Sequence, residues 1–326
     1  MRDLEDGQAV NAVFLVRERT LARKKNGEDF LRLTLSDCTG SRPAVCWDDA
    51  KSAHDVAEPG TAVRVRGRYA VSDRYGPQLT IQSLASANTG EFELTDLLDG
   101  PAIGIGQMED DLRQLVKTVQ NPHLRLLLDA LLGERSEVWR RFRSAPAAKF
   151  YHQAYAHGLL EHTLLVAQGV SVISASFPGV DRDLAVAGAL VHDIGKIEAY
   201  GLDPASIDLT DDGKLHGEIP LGYYLVRREI ERLEGFPWTL TRALLHIILS
   251  HHGALENGSP VVPATREATV VHAIDNLGGK LGCFDRLEKA LPDGASWSGF
   301  DRALAGSAYF ADVSVDEHLQ HAASGG

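Results

Sequence analysis

The stretch FLRLTLSD, residues 30–37, has a leucine at every second position from 31 to 35. Its three leucines fall on one face of an extended strand, while Phe30 and Arg32 fall on the other. Such alternation is typical of a strand with one face in a core and one face toward solvent. This stretch therefore predicts part of a sheet that covers a hydrophobic interior.

The neighbouring sequence repeats this signal. TAVRVRGRYAV, residues 61–71, turns Val63 and Val65 inward and a row of arginines outward. AVCWDD and PQLTIQSL supply further short strands, and KNG, DCTG, EPG and RYGPQ are turn signals between them. About five short strands within residues 8–85 predict a small closed β-barrel, for which the OB-fold is the candidate.

The pattern changes to helical periodicity from about residue 95 onward. Helices are predicted over 156–175, 183–194, 217–234, 240–252 and 266–290. The fold class is therefore a two-domain chain, with an N-terminal all-β OB-type barrel and a C-terminal all-α bundle. We expect an OB-type domain over 1–88, a linker over 89–108, a helical domain over 109–315 and a disordered tail over 316–326.

Composition limits the classes of protein that remain. The net charge of −12 argues against a protein coated by nucleic acid, but the charge is uneven. Residues 1–85 carry 13 Lys and Arg against 12 Asp and Glu, and the other 241 carry 20 against 33. We expect no signal peptide and no membrane span. Three cysteines without a C-x-x-C pair favour a reduced, cytoplasmic setting.

Histidines and aspartates in the helical part stand at helix ends or on apolar faces. His162 lies on a mostly apolar helix, and His192 and Asp193 end the next one, just before a glycine. The pair HH at 251–252 also precedes a glycine, and Asp275 lies beside the apolar stripe of the last helix.

A carboxylate on a buried stripe is costly unless it is paired or bound to a cation. A single histidine on an apolar face is usually a hydrogen-bonded core residue, so no single position decides the matter. The ordered set H…HD…H…HH…D instead favours a divalent metal site. Mixed nitrogen and oxygen ligands without thiolate favour Mn, Fe, Zn, Co or Ni.

At these residues the sequence resembles the HD-domain metal-dependent phosphohydrolases. GLLEHTLLVA, AGALVHDIGKI, LHGEIPLGYYLV, ILSHHGALENGSPVVPATREA and HAIDNLGGKL resemble, more specifically, the YhaM-like 3′–5′ exoribonucleases. KKNGEDFLRLTLSDCTG and VRGRY are similar to the OB-type half of that family. The resemblance covers about residues 8–310.

The resemblance implies two divalent ions, with Mn expected first and Fe, Co, Ni, Zn or Mg left open. It implies a primary metal site of four residues: His162, His192, Asp193 and Asp275. A second metal, bridged by Asp193, would use His216, His251 and His252, and Lys196 would face the substrate phosphate. The chain departs from the family pattern at Gly278, where an acidic residue is typical, and at His157, where a glycine is frequent.

Two such metals would hold a hydroxide for in-line attack on a phosphodiester. The leaving 3′ oxygen needs a proton, and His216, His252 and His157 remain open as its donor. Asp193, Lys196, His216 and His252 are thus the candidate catalytic residues.

The predicted barrel carries cations and aromatic rings suited to single-stranded nucleic acid. The candidate contact residues are Arg23, Lys24, Lys25, Phe30, Arg32, Trp47, Arg64, Arg66 and Arg68. Tyr69 and Tyr75 are further candidate stacking partners. An OB fold also binds protein or a neighbouring subunit, so a homo-oligomer stays open.

The leading hypothesis is a cytoplasmic, metal-dependent 3′–5′ exoribonuclease that releases nucleoside monophosphates from single-stranded RNA, with DNA left open. One alternative is an HD phosphohydrolase acting on small nucleotides. Another is a non-catalytic nucleic-acid-binding protein with a structural metal site.

Overall fold

A computed structural model describes most of the chain. The described residues are 1, 4–72, 76–88, 90–92, 94–98, 100–101, 103–149, 153–201, 203, 207–289, 291 and 294–311. The predicted tail at 316–326 and Tyr75 lie outside them.

The N-terminal part is a closed five-stranded barrel in the order β1-β2-β3-β5-β4. The strands are β1 Ala9–Arg23, β2 Asp29–Asp37, β3 Gly40–Cys46, β4 Ala62–Ser72 and β5 Gly76–Ser86. β1 is long enough to pair with both β2 and β4, and a parallel pairing of β3 with β5 closes the barrel. Helix α1, Ala50–Val56, connects β3 to β4. The predicted OB-type barrel is confirmed.

The alternation in the sequence sets which side chains fill the barrel. The leucines of β2 are buried, as are Val63 and Val65 of β4, while the arginines between them face outward. Gly67 lies where β4 approaches β5 most closely, since an added Cβ would be 2.3 Å from the carbonyl oxygen of Thr80. A larger residue there would separate two strands of the barrel.

Helices account for most of the described chain after the barrel. They are α2 Leu94–Leu97, α3 Ile105–Lys117, α4 Pro122–Leu132, α5 Glu137–Phe142, α6 Gly158–Ser174, α7 Arg182–Val191, α8 Lys196–Ala199, α9 Asp211–His216, α10 Glu218–Arg232, α11 Trp238–Ser250 and α12 Arg266–Lys289. The predicted all-α C-terminal part is confirmed.

Helix α6 lies at the centre of this bundle. Eleven of its 17 residues are buried, and it packs against α7 and α12. The bundle has its own hydrophobic cluster, which is separate from the cluster inside the barrel. The short helices α5, α8 and α9 were not predicted, because four to six residues are too few to show a helical period.

Among the described residues, no helix combines the length and the apolar character that a membrane crossing requires.

Candidate metal centre and nucleic-acid interface

The candidate ligands come from four helices and lie close together in the bundle. α6 carries His162 and α12 carries Asp275 within the helix, while the other ligands follow helix ends. α7 ends at Val191 and α11 at Ser250, so the HD and HH pairs lie in the turns just beyond them. α7 packs against α6, α11 and α12, which brings both turns beside the two helices.

The first group of side chains surrounds one point in the interior. His162 Nε2 lies 3.2 Å from Asp193 Oδ2 and 3.1 Å from Asp275 Oδ1. His192 Nε2 lies 3.4 Å and 3.8 Å from the same two oxygens. His162, His192 and Asp193 are all buried. Two imidazoles and two carboxylates therefore direct their donor atoms at a shared centre.

A second group uses the other oxygen of the same aspartate. Asp193 Oδ1 lies 3.4 Å from His251 Nε2. A ring nitrogen of His252 lies within 4.8 Å of a ligand atom of each of these two residues. Asp193 Oδ1 and His251 Nε2 are buried, and within the described part of the chain neither has a hydrogen-bond partner. Such buried polar atoms are costly unless a cation or a further donor satisfies them.

Backbone carbonyls fix the tautomers of three of these histidines. The Nδ1 atoms of His192, His251 and His252 lie 2.7 to 2.9 Å from the carbonyl oxygens of Ala189, Ile248 and Asn257. A carbonyl only accepts, so each Nδ1 carries the proton and donates. In the neutral ring the lone pair is then at Nε2, which for His192 and His251 faces a carboxylate. A lone pair facing an anion is unfavourable unless a proton on the ring or a metal ion lies between them.

The pKa shifts in the first group also favour a bound cation. Burial alone lowers the pKa of His192, but the charges of Asp193 and Asp275 outweigh it and raise the pKa to about 10. Burial raises the pKa of both aspartates, yet the neighbouring cationic groups and hydrogen bonds hold the pKa of each well below its usual range. The two aspartates therefore stay ionised, and positively charged side chains surround them. The donor set thus fits divalent metal ions.

Lys196 contributes a fixed positive charge beside this centre. Its Nζ lies 2.7 Å from Asp193 Oδ2. Burial lowers the pKa of the ammonium, but the negative charge of Asp193 more than compensates and the pKa is raised. Lys196 therefore stays protonated at neutral pH.

The other predicted positions lie apart from these groups. His216 is not in any of the His and Asp clusters found among the described residues, and its Nδ1 lies 3.5 Å from Asp212. His157 precedes α6 with a left-handed φ of 69°, and its Nδ1 contacts the carbonyl of Arg143. A glycine at this position would adopt that φ without strain. Gly278 has open space around its Cα.

Several side chains near the centre were missed by the sequence analysis. Glu218 Oε1 lies 3.9 Å from His252 Nδ1. Buried Glu161, which precedes His162, accepts hydrogen bonds from Tyr155 and Gln153 and so ties the preceding loop to α6. A charged glutamate within the apolar stretch GLLEHTLLVA is the sequence signal for such a role.

The outer surface of the barrel holds an aromatic and cationic cluster. Trp47 stacks on Phe30 with ring centroids 4.8 Å apart, and Lys24 lies over the Trp47 ring at 5.8 Å. The Arg32 guanidinium lies 5.2 Å from the centroid of Phe30. Phe30 is only 7% exposed because Trp47 covers it, whereas Trp47 itself is 41% exposed. The tryptophan, and not the phenylalanine, offers its ring to a ligand.

The remaining candidates on the barrel differ in exposure. Arg23, Lys25, Arg66 and Arg68 are exposed, while Arg64 is half-buried and forms an ion pair with Glu91 at 2.7 Å. Tyr69 is buried in the barrel core, because it continues the inward face of β4 beyond Val65. It is therefore not placed to stack on a base.

Comparison with known proteins gives relatives along most of the chain. The HD domain family profile matches residues 159–279. The 3′–5′ exoribonuclease YhaM of Geobacillus sp. (strain WCH70) is 33% identical over 291 residues, covering 88% of this chain and 88% of that protein. The 3′–5′ exoribonuclease YhaM of Bacillus subtilis (strain 168) is 31% identical over 293 residues, covering 88% and 90%.

Two of the solved structures that match the chain each cover about a quarter of it. The second OB-fold domain of replication protein A from Methanococcus maripaludis covers 27% of this chain and 93% of its own, with 16% identity and a TM-score of 0.23. The protein PriB from Ralstonia solanacearum covers 24% and 97%, with 18% identity and a TM-score of 0.22.

Proposed function

The chain belongs to the YhaM family of 3′–5′ exoribonucleases, and from this premise we propose that it is a metal-dependent enzyme that removes nucleotides from the 3′ end of single-stranded RNA. The observation that carries the proposal is the position of Asp193. One of its oxygens faces the first group of ligands and the other faces the second, and both groups lie in the interior of the HD domain.

We assign the first metal to His162, His192, Asp193 and Asp275, and the second to Asp193 with His251 and His252. Mn²⁺ is the expected ion at both. Divalent cations there would supply Lewis acidity that activates water for in-line attack and offsets charge on the phosphoryl group. Asp193 would keep the two ions at a fixed separation, because its two oxygens are held on opposite sides.

Lys196 is the residue assigned to the scissile phosphate. Its ammonium is protonated, buried and held by Asp193, so it is oriented before the substrate arrives. An oriented positive charge in a site with little water stabilises developing negative charge without a cost of reorganisation. His216 and His252 remain the candidates for protonating the leaving 3′ oxygen.

The barrel is assigned to holding the rest of the strand. The exposed ring of Trp47, with Lys24 and Arg32 beside it, can stack on a base while the cations follow the phosphates. Stacking tolerates any base, which suits an enzyme that degrades a strand without regard to sequence. Single-stranded DNA stays open as a substrate.

The domain bounds, the location and the state of assembly are further proposals. The domain bounds 1–88, 89–108 and 109–315 stay a prediction; Met108, which falls in the predicted linker, is buried in the hydrophobic cluster of the bundle. The three cysteines are free, which is compatible with the predicted cytoplasmic location. Assembly into a homo-oligomer stays a prediction.

The test is hydrolysis of single-stranded RNA labelled at its 5′ end, with Mn²⁺, by protein purified without chelator. We expect a ladder that shortens from the 3′ end and the release of nucleoside monophosphates. Blocking the 3′ end of the RNA should delay hydrolysis, and removing the metal with a chelator should stop hydrolysis. A protein that carries metal but releases nucleotides from neither RNA nor DNA would refute the proposal. Activity confined to mononucleotides or cyclic dinucleotides would identify a small-nucleotide phosphohydrolase instead.

A further inference from the structure

The second group of ligands has fewer protein donors than the first. Asp193, His251 and His252 provide three donor atoms, while a divalent ion such as Mn²⁺ takes four or more ligands. His216, which the sequence suggested for this place, has a side chain that is 55% exposed. Its ring faces Asp212, one turn earlier on the same short helix α9.

The turn after His216 brings a different side chain to the centre. Gly217 has φ 77° and ψ 160°, a conformation that is essentially restricted to glycine. It ends α9 and begins α10 in a new direction, with Glu218 as the first residue of the helix. Residues 216 and 218 therefore belong to helices of different direction, and only the second belongs to the helix that packs on the HD turn.

The main chain of Glu218 is held against that turn. An added Cβ at Gly195 would lie 2.0 Å from the carbonyl oxygen of Glu218 and 2.4 Å from the amide nitrogen of Gly222. Gly195 is two residues from Asp193, so α10 starts in direct contact with the backbone that carries the shared carboxylate. Glycine is required at 195 for this close approach.

The side chain of Glu218 lies beside the second group from this position. Its Oε1 lies 3.9 Å from His252 Nδ1, and its side chain is 27% exposed, which leaves the carboxylate room to rotate toward the ligand atoms of the group. Its charge also acts on Tyr200, whose pKa burial raises and which Lys196 and Asp193 influence as well. The carboxylate thus belongs to the same electrostatic neighbourhood as the candidate metal ligands.

We propose that Glu218, and not His216, supplies the fourth protein ligand of the second metal site. The unpartnered, buried atoms Asp193 Oδ1 and His251 Nε2 show that this place requires a cation, and Glu218 is an anionic oxygen donor positioned beside it. The inference rests on the two-metal part of the proposed function. A carboxylate in place of an imidazole makes the ligand set harder, which favours Mn²⁺ over Zn²⁺.

The experiment compares two matched amide variants, Glu218→Gln and His216→Gln, with the full-length wild-type chain. Each protein is loaded with Mn²⁺ and desalted, and its metal content and Mn²⁺ affinity are measured by elemental analysis and calorimetry. Circular dichroism and thermal unfolding of the metal-free proteins establish that both variants fold. We expect about two ions per chain in the wild type and in His216→Gln, and about one in Glu218→Gln, with affinity for the second ion weakened more than about tenfold.

Every other pattern overturns the inference. These patterns are loss of the second ion in His216→Gln, two tightly bound ions in Glu218→Gln, or a single ion in the wild type. RNA hydrolysis by the wild type is assayed separately. Should the wild type bind two ions and degrade no RNA, the proposed function would fail while the assignment of Glu218 could still hold. Should it degrade RNA while Glu218→Gln keeps both ions, only this inference would fail.

Discussion

At the scale of the single residue, Asp193 is the position on which the site depends. It is 2% exposed, and one oxygen contacts His162, His192 and Lys196 while the other faces His251. Because the two groups share this side chain, its loss affects both. Asp275 lies 3.1 and 3.8 Å from the first pair of histidines, and one of its carboxylate oxygens is also within 4.8 Å of a ring nitrogen of His251.

We expect Asp193→Asn to lower the metal content below one ion per chain and to reduce RNA hydrolysis by more than about 100-fold, since even residues behind a ligand contribute about 10- to 100-fold. Elemental analysis and a 3′-end hydrolysis assay measure these effects. Asp110→Asn, at an exposed position on α3, is the matched control and should keep both properties. Retention of two ions by Asp193→Asn would contradict the shared role.

Metal affinity is expected to depend on pH with a definite sign. In the metal-free protein the pKa of His192 is about 10, so its imidazole holds a proton throughout the neutral range. A metal ion must displace that proton, so binding weakens as pH falls and strengthens, by about tenfold per pH unit, as pH rises toward the pKa. Calorimetry in buffers of different ionisation enthalpy, between about pH 6.5 and 8.5, should detect proton release. An affinity that is constant over this range would contradict the prediction.

At the scale of the element, the centre is built from the ends of helices. α7 and α11 end at Val191 and Ser250, and the HD and HH pairs lie in the turns that follow, with His192 and His251 as the C-caps. Gly253 follows the HH pair with a φ of 83°, and its Cα packs against the ring of His272. That ring donates to the carbonyl of His251, so the turn is held from behind.

A pair of glycine substitutions tests the close packing of α10 on the HD turn. Gly195→Ala places a methyl group 2.0 Å from a backbone oxygen, so we expect it to destabilise the protein by about 1–3 kcal/mol. Gly278→Ala is the matched change on α12, where nothing lies within 4 Å. It should stabilise the helix by about 0.5–1 kcal/mol. Denaturant unfolding of the metal-free proteins measures both, and equal effects would refute the argument from packing.

At the scale of the whole molecule, the chain combines a nearly neutral barrel with an acidic bundle. The barrel presents Trp47 with Lys24 and Arg32 at its surface, while the bundle places Asp193 and Asp275 at the metal centre. A uniformly acidic protein would repel RNA. The division of charge allows one part to attract the strand and the other to collect the cations that the reaction requires.

We expect Trp47→Ala to weaken the binding of a single-stranded oligonucleotide by about 5- to 150-fold, because stacking on one aromatic ring contributes about 1–3 kcal/mol. Hydrolysis of a dinucleotide, too short to need the barrel, should change little. Fluorescence anisotropy and a dinucleotide assay measure the two effects. Trp238→Ala, which removes another exposed tryptophan on α11, is the control. Equal losses in both variants would contradict a specific role for Trp47.

The sequence by itself determined the elements of this protein and the types of residue in its site. A period of two placed the leucines of β2 inside the barrel, and a helical period located the ends of α6, α7, α10, α11 and α12 to within about three residues. These features depend on local geometry, which the order of side chains expresses directly. The ordered histidines and aspartates likewise indicated a metal site before any distance was known.

Only the tertiary structure decided which of those residues meet. The packing angles of α6, α7, α11 and α12 bring His162 and Asp275, 113 positions apart, to within 3.1 Å, and no local period contains such a distance. The same packing leaves His216 beside Asp212 and brings Glu218 near His252, although the two residues are separated by one glycine. It also covers Phe30 with Trp47. Contacts between distant segments follow from how helices and strands pack, and a sequence pattern fixes only the face that each residue occupies.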